Sequence, residues 1–274
     1  MTNREMLEAL FGGMPFFGAA VRGKQTSVMN SLFLTGLASL AARGSPMRVL
    51  EIGSWVGYST LTWVASIVSF STGGEVVCVD PLEPYFADHD NEKDHQRMTA
   101  ALNNGLAKDL FEYNVSRLPK NVTVTRIAKR STDALPALPS EAFDLVYIDG
   151  SHAYEHVKFD IDQAKRLVRD GGIVAGDDLD KPLSQIDEAA MLPFVDHDVI
   201  PDESLPHGLV HPGVAVAVKR SFSEVCSLAP LWSVRRVGER FLPVDPREGR
   251  VIIPPHFSEE EKRQAQGLLR PTGR

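Results

Sequence analysis

The sequence predicts an α/β fold: a doubly wound, mostly parallel seven-stranded sheet of the Rossmann-like kind, finished by an antiparallel C-terminal hairpin. Short apolar runs at residues 48–52, 75–80, 122–127, 143–148 and 172–175 alternate with stretches of helical period. The run before Gly53 is rich in branched residues, as a strand covered on both faces should be. Acids and glycines recur at the C-terminal ends of these runs: Glu51 and Gly53, then Asp80, Asp149, and Asp177 with Asp178. Ligands of open parallel sheets lie beyond those ends.

The elements follow in order. Residues 1–25 hold an apolar patch, Leu10-Phe11-Gly12-Gly13-Met14-Pro15-Phe16-Phe17, for which two roles stay open: covering a cleft, or meeting a second copy of the chain in a homo-oligomer. Residues 26–42 carry Met29, Leu32, Phe33, Leu37 and Leu40 at helical spacing, and Gly44 and Pro46 end that helix. The first strand then feeds Gly53-Ser54-Trp55-Val56-Gly57, a turn that opens a helix through Tyr58, Leu61, Ala65 and Val68. Glycines allow such a turn to approach a ligand closely, and the free N–H groups of the helix start favour an anionic group.

Asp80 ends the second strand. An acid at that place can hold the hydroxyls of a ribose; alternatively it caps the next turn, helped by Pro81. Residues 84–105 are polar, and Asp88, His89, Asp90, Glu92, Asp94 and His95 crowd together without a regular ligand spacing, so they read as a solvated loop and helix start. A helix is expected over 106–115, and Ser131-Thr132-Asp133 offers a cap for a short helix ending near Pro136. After the fourth strand comes Asp149-Gly150-Ser151-His152, then a helix with Tyr154, Val157, Ile161, Ala164 and Leu167 on one face, stopped by Gly171-Gly172. Residues 182–210 read as irregular. His211-Pro212-Gly213 opens another helix. Residues 232–237 and 240–244 form the hairpin, Val251-Ile252-Ile253 reads as a short strand, and 259–269 as a helix. The expected division is an N-terminal cover over 1–47, a main domain over 48–245 and a tail over 246–274.

The chain has 274 residues, 43% apolar and 24% charged, in the range of a globular protein that buries one large core. A net charge of −7 argues against nucleic acid as a partner. No apolar run suits a membrane span, and the first residues lack the layout of a signal peptide. The 2 cysteines, Cys78 and Cys226, make no disulfide framework. A cytoplasmic protein is expected.

Asp149, Asp177 and Asp178 fall at the tips of neighbouring strands. Like charges gathered there repel unless a cation neutralises them. Carboxylate oxygens suit a hard ion such as Mg2+, which polarises a substrate hydroxyl. His152 is placed to take the proton as general base. The competing reading has Asp177-Asp178 as a polar loop and His152 turned to water.

Glu51-x-Gly53-x-x-x-Gly57 with Asp80, Asp149-Gly150-Ser151-His152, Gly171-Gly172 and Gly176-Asp177-Asp178 together resemble the class I S-adenosylmethionine-dependent methyltransferases. The likeness is greatest to the metal-dependent O-methyltransferases of sugars and bacterial natural products. It spans residues 48–225, with 180–210 as an insertion. The resemblance implies cofactor contacts at Glu51, Gly53, Ser54, Tyr58 and Ser59, ribose on Asp80, adenine near Arg130 and Ser131, and a further contact at Asp149. It implies Mg2+ or another divalent cation on Asp149, Asp177 and Asp178, with His152 as catalytic base. The partner it implies is a small-molecule hydroxyl acceptor: a sugar or glycosylated natural product, with a catechol or a hydroxylated amino acid derivative as the alternative acceptor. A non-catalytic scaffold that kept the cofactor pocket is the reading from another class.

Overall fold

A computed structural model describes residues 2–21, 23, 26–84, 93–206 and 208–270. Chain order is α1 (Asn3–Phe11), α2 (Val28–Ala41), β1 (Met47–Ile52), α3 (Tyr58–Phe70), β2 (Gly74–Val79), α4 (Lys93–Asn103), α5 (Leu106–Asn114) and β3 (Val122–Ile127). It continues through α6 (Ser131–Ala134), β4 (Phe143–Ile148), α7 (Tyr154–Leu167), β5 (Val168–Gly176), α8 (Glu188–Met191), β6 (Ile200–Pro201) and β7 (Leu209–Val210). It closes with α9 (Pro212–Ser221), β8 (Cys226–Leu228), β9 (Leu231–Val237), β10 (Arg240–Pro243) and α10 (Glu259–Leu269).

The main sheet runs β10-β9-β5-β4-β1-β2-β3, parallel from β5 to β3, with β9 antiparallel to β5. It has 8 strands rather than the expected seven, because β8 pairs with β9 end to end with β10 along one edge. Side chains of successive strand residues point to opposite faces. Val49, Val76, Cys78, Leu145, Tyr147 and Ile173 therefore pack with Leu34, Trp63 and Leu110 on the α2–α3–α5 face. Leu50, Val77, Val146, Ile148 and Val174 pack with Leu135, Val157, Ile161 and Val214 on the α6–α7–α9 face. Each fully buried side chain of this size stabilises the fold by about 1.5–3 kcal/mol.

The terminal segments join the same body. α1 rests on α5, α2 on α3, and α10 on α2. The N-terminal patch is anchored through its backbone, since Gly13 N donates to Tyr113 Oη (3.0 Å) and Phe16 N to Asn114 Oδ1 (2.8 Å), while the side chains of Leu10 and Met14 stay exposed.

Four local expectations are corrected. α7 ends at Leu167 and β5 begins at the next residue, so Gly171-Gly172 is not a helix stop. Those glycines lie where the β4–β5 register shifts, with Gly171 at φ +71°, the signature of a bulge. Ser131 is the first helical residue of α6, and Arg130 before it makes no side-chain cap. Val251-Ile252-Ile253 is not a strand; it runs extended beside α2, where Ile252 N donates to Thr35 Oγ1 (3.3 Å). Residues 182–210 are not irregular throughout but hold α8 and the β6–β7 ladder. The acidic, histidine-bearing run at 88–95 falls outside the described residues and side chains. Among the described residues no helix is long and apolar enough to cross a membrane.

Candidate active site

β1 and β4 meet their turns at one point. Asp149 N donates to Ile52 O (2.8 Å) and Gly53 N to Val79 O (3.0 Å), which draws the tips of β1, β2 and β4 together. Gly53 has φ +82°, and a Cβ there would sit 1.9 Å from Asp149 O. Only glycine meets both demands. Asp80 then organises the turn. Its Oδ2 accepts from Ser54 N and Trp55 N, both at 2.9 Å, and its Oδ1 from Leu82 N at 2.8 Å. The turn-capping reading of Asp80 is thus realised, and the residue also lines the cavity.

That cavity measures about 950 Å3 and opens at the C-terminal ends of β1, β2, β4 and β5. Gly53, Ser54, Tyr58, Ser59, Asp80, Arg130, Ser131, Asp149, His152, Asp177 and Asp178, the residues implied from sequence, all line it. Glu51 does not. Three buried polar atoms in its wall have no hydrogen-bond partner: Thr26 Oγ1, Ser54 Oγ and Asp160 Oδ1. Buried polar groups are normally paired, so such atoms in one wall mark where a polar ligand completes the bonding. Two hydroxyls and one carboxylate oxygen are thus left for a polar ligand to satisfy. Tyr58 turns its hydroxyl to Glu261 Oε1 (2.7 Å), tying the mouth of the cavity to α10.

Glu51 is instead a core carboxyl. It accepts from Thr60 Oγ1, from Trp63 Nε1 (3.1 Å) and from Cys78 Sγ (3.3 Å). Burial raises its pKa above the ordinary 4.5, against the opposing hydrogen bonds from Thr60, Ser59, Cys78 and Trp63. A carboxyl raised on folding contributes stability that is complete below its unfolded pKa and lost as pH rises through its folded one. Thermal melts should therefore show the wild type falling relative to Glu51→Gln from about pH 4.5 upward. Curves that stay parallel across that range would remove Glu51 from this role.

The carboxylate and imidazole groups form a chain. His152 Nδ1 meets Asp198 Oδ1 at 2.5 Å and its Nε2 meets Asp178 Oδ2 at 2.9 Å. His211 Nδ1 meets Asp180 Oδ2 at 2.9 Å, and its ring centroid lies 4.6 Å from that of His152. Asp178 takes φ +64°, which aims its carboxyl at the two imidazoles. Burial favours neutral His152, but Asp178 and Asp198 outweigh it and hold the imidazole well above its usual pKa. Burial and then repulsion from Asp177 and Asp178 push Asp149 well up. Burial and Asp178 push Asp177 up to about 7. Burial works against ionised Asp178, yet His152 and His211 hold it down. Asp149 and Asp177 are thus short of positive charge, which is the electrostatic condition a bound cation relieves. Among the described residues, His152, Asp178 and His211 bring one donor each within 4.8 Å of one another, a set that shares Asp178 with the expected aspartates.

Sequence reasoning missed Asp160, Asp180, Asp198 and His211. Asp180 follows Asp178 closely, and its neighbourhood was a usable signal. Asp198 lies 46 residues from His152 in a stretch read as irregular, and nothing in its context announces it. His211 was seen only as part of a helix opening. Its helix comes close because Gly213 has no side chain: a Cβ would lie 2.2 Å from His152 O.

Residues 50–179, which carry most of this cavity, match the family described as a methyltransferase domain. That match spans 130 of the 274 residues, just under half of the chain. No curated protein matches the chain. Among solved structures, a protein from Corynebacterium glutamicum is similar at 19% identity, covering 85% of this chain and 88% of its own, with a TM-score of 0.46. An O-methyltransferase from Bacillus cereus, solved with S-adenosylhomocysteine, is similar at 17% identity over 86% and 92%, with a TM-score of 0.44. The O-methyltransferase TomG from Streptomyces achromogenes, of tomaymycin synthesis and solved with S-adenosylmethionine, is similar at 18% over 87% and 100%, also at 0.44. At such scores the chemistry has to come from this chain's own residues.

Proposed function

We propose that this protein transfers the methyl group of S-adenosylmethionine to a hydroxyl of a small molecule, with a divalent cation such as Mg2+, and that the acceptor is a sugar or glycosylated natural product. The observation that carries this reading is the cavity at the strand ends. It is lined by Ser54, Thr26 and Asp160, each with an unpaired polar atom, and by the Asp149–Asp177–Asp178–His152 group. Gly53, Ser54 and Ser59 would hold the methionine portion, Asp80 the ribose, and Arg130 with Ser131 the adenine. The three aspartates would hold the cation. When bound, the cation would polarise an acceptor hydroxyl and draw Asp178 off the imidazole.

With Asp178 turned to the cation, His152 Nε2 would be free to take the acceptor proton, while Asp198 on Nδ1 fixes the ring and stabilises the imidazolium that forms. Asp177 is oriented by Tyr147 Oη (3.4 Å) and by Asp178 N (3.0 Å). Val199, Leu205 and Leu209 add apolar lining to the cavity. Asp180, Asp198 and His211 wall the acceptor end, and such groups suit a polyhydroxylated acceptor better than a flat aromatic ring. Rate would come from orientation of donor and acceptor in line.

Calorimetry with S-adenosylhomocysteine tests the cofactor half. The wild type should bind, and Asp80→Ala should weaken binding by about 1–3 kcal/mol, since it removes charge-assisted bonds and frees the 53–55 turn. Unchanged affinity takes Asp80 out of the site. Radiolabelled methyl transfer to sugars and catechols in parallel tests the acceptor. Turnover of catechols alone would move the activity to the alternative acceptor class, and cofactor binding with turnover of neither would favour a scaffold.

A further inference from the structure

Asp160 sits on the buried side of α7, 2% exposed, one turn after His156. Ser131 hydrogen-bonds its carboxyl, yet Oδ1 has no partner. Burial pushes the group up to about 7, as expected of a carboxylate short of donors. The strand order fixes its place along the cavity. The tips run β4, β1, β2, β3, followed respectively by Asp149, by Gly53-Ser54, by Asp80 and by Arg130-Ser131. Ser131 belongs to the β3 end, and so therefore does the unpaired Oδ1 beside it. A ligand laid with its amino acid part at β1 and its ribose at β2 brings its base there. Adenine has ring nitrogens that only accept and one exocyclic amino group that donates. A hypoxanthine base has a carbonyl in that position, which would face the carboxylate lone pair to lone pair.

We infer that Asp160 Oδ1 accepts a hydrogen bond from the exocyclic amino group of the methyl donor's adenine, with Ser131 holding the carboxyl in register, so that Asp160 selects an adenine over a 6-oxopurine. This rests on the S-adenosylmethionine reading above. Asp160 is reached from the helix after β4 rather than from the turn after β3, where Arg130 and Ser131 alone had been expected.

The test is calorimetry on the full chain with S-adenosylhomocysteine and S-inosylhomocysteine, with thermal melts of every variant. The wild type should prefer the adenosyl compound by about 10- to 100-fold, the scale of one hydrogen bond to a charged group. Asp160→Ala should lose that much affinity for the adenosyl compound and keep its affinity for the inosyl one. Asp160→Asn can turn its amide N–H2 to the carbonyl, so its preference should shrink or reverse. Ser131→Ala leaves the buried carboxyl in place and should erode the preference in the same direction; it carries the test if an Asp160 variant fails to fold. Folded variants that keep the wild-type preference overturn the proposal and leave Asp160 a structural residue. A wild type that binds neither compound overturns the S-adenosylmethionine reading itself.

Discussion

EDTA should abolish methyl transfer by this protein, and Mg2+ should restore it. Asp149→Asn and Asp177→Asn should each lose the cation and most turnover, because a neutral amide does not offset its charge. His152→Ala should keep cation and cofactor but lose on the order of 10²–10⁴ in rate, the usual contribution of a positioned general base. That loss should shrink as pH rises, where the acceptor hydroxyl ionises with less help. Full turnover of His152→Ala at neutral pH would place the base elsewhere. Turnover untouched by EDTA after dialysis would leave the aspartates as hydrogen-bonding or structural groups. His211→Ala separates the two donor sets. If that variant loses the cation, the ion sits on the imidazole pair with Asp178, within the 4.8 Å group, rather than on the aspartates.

Gly53→Ala should lower the stability of the protein by about 2–5 kcal/mol, combining left-handed backbone strain with overpacking. Asp149 O stands 1.9 Å from where the new Cβ would lie, and it is backbone that cannot swing aside. For a chain of this size the loss reads as a fall of roughly 5–15 °C in Tm. Cofactor affinity should fall with it, because parting the tips of β1 and β4 also displaces Ser54 and Asp149. A Gly53→Ala protein that melts with the wild type and binds S-adenosylhomocysteine normally would show that this approach of the two tips is dispensable.

Strands β3 and β4 are legible to the residue, since Val122–Ile127 alternates and Phe143–Ile148 is a short apolar run closed by Asp149 and Gly150. α10 is equally legible, because Ser258 and Glu261 form a capping box at its start. The misreadings share a cause. Gly171-Gly172 signals a break in either a helix or a strand, and only the pairing with β4 decides for a bulge. Val251-Ile252-Ile253 has strand composition but finds α2 rather than a strand as its neighbour. Glu51 carries a motif's place in sequence, yet its carboxyl turns into the core toward Trp63.

By itself the sequence determined the βα order, the glycine turn after β1, and the acids that stand at the strand tips. These follow from period, turn chemistry and strand length, which act over a few residues and leave their mark on residue type. Only the tertiary structure decided which side chains meet. Asp198 reaches His152 because the stretch between β5 and α9 returns to line the cavity. His211 comes beside it because α9 packs against the backbone of residues 152–154 at Gly213. Asp160 faces the cavity because α7 lies against α6. Each meeting depends on the packing of elements distant in sequence, and packing leaves no period or spacing from which a single aspartate or histidine can be recognised.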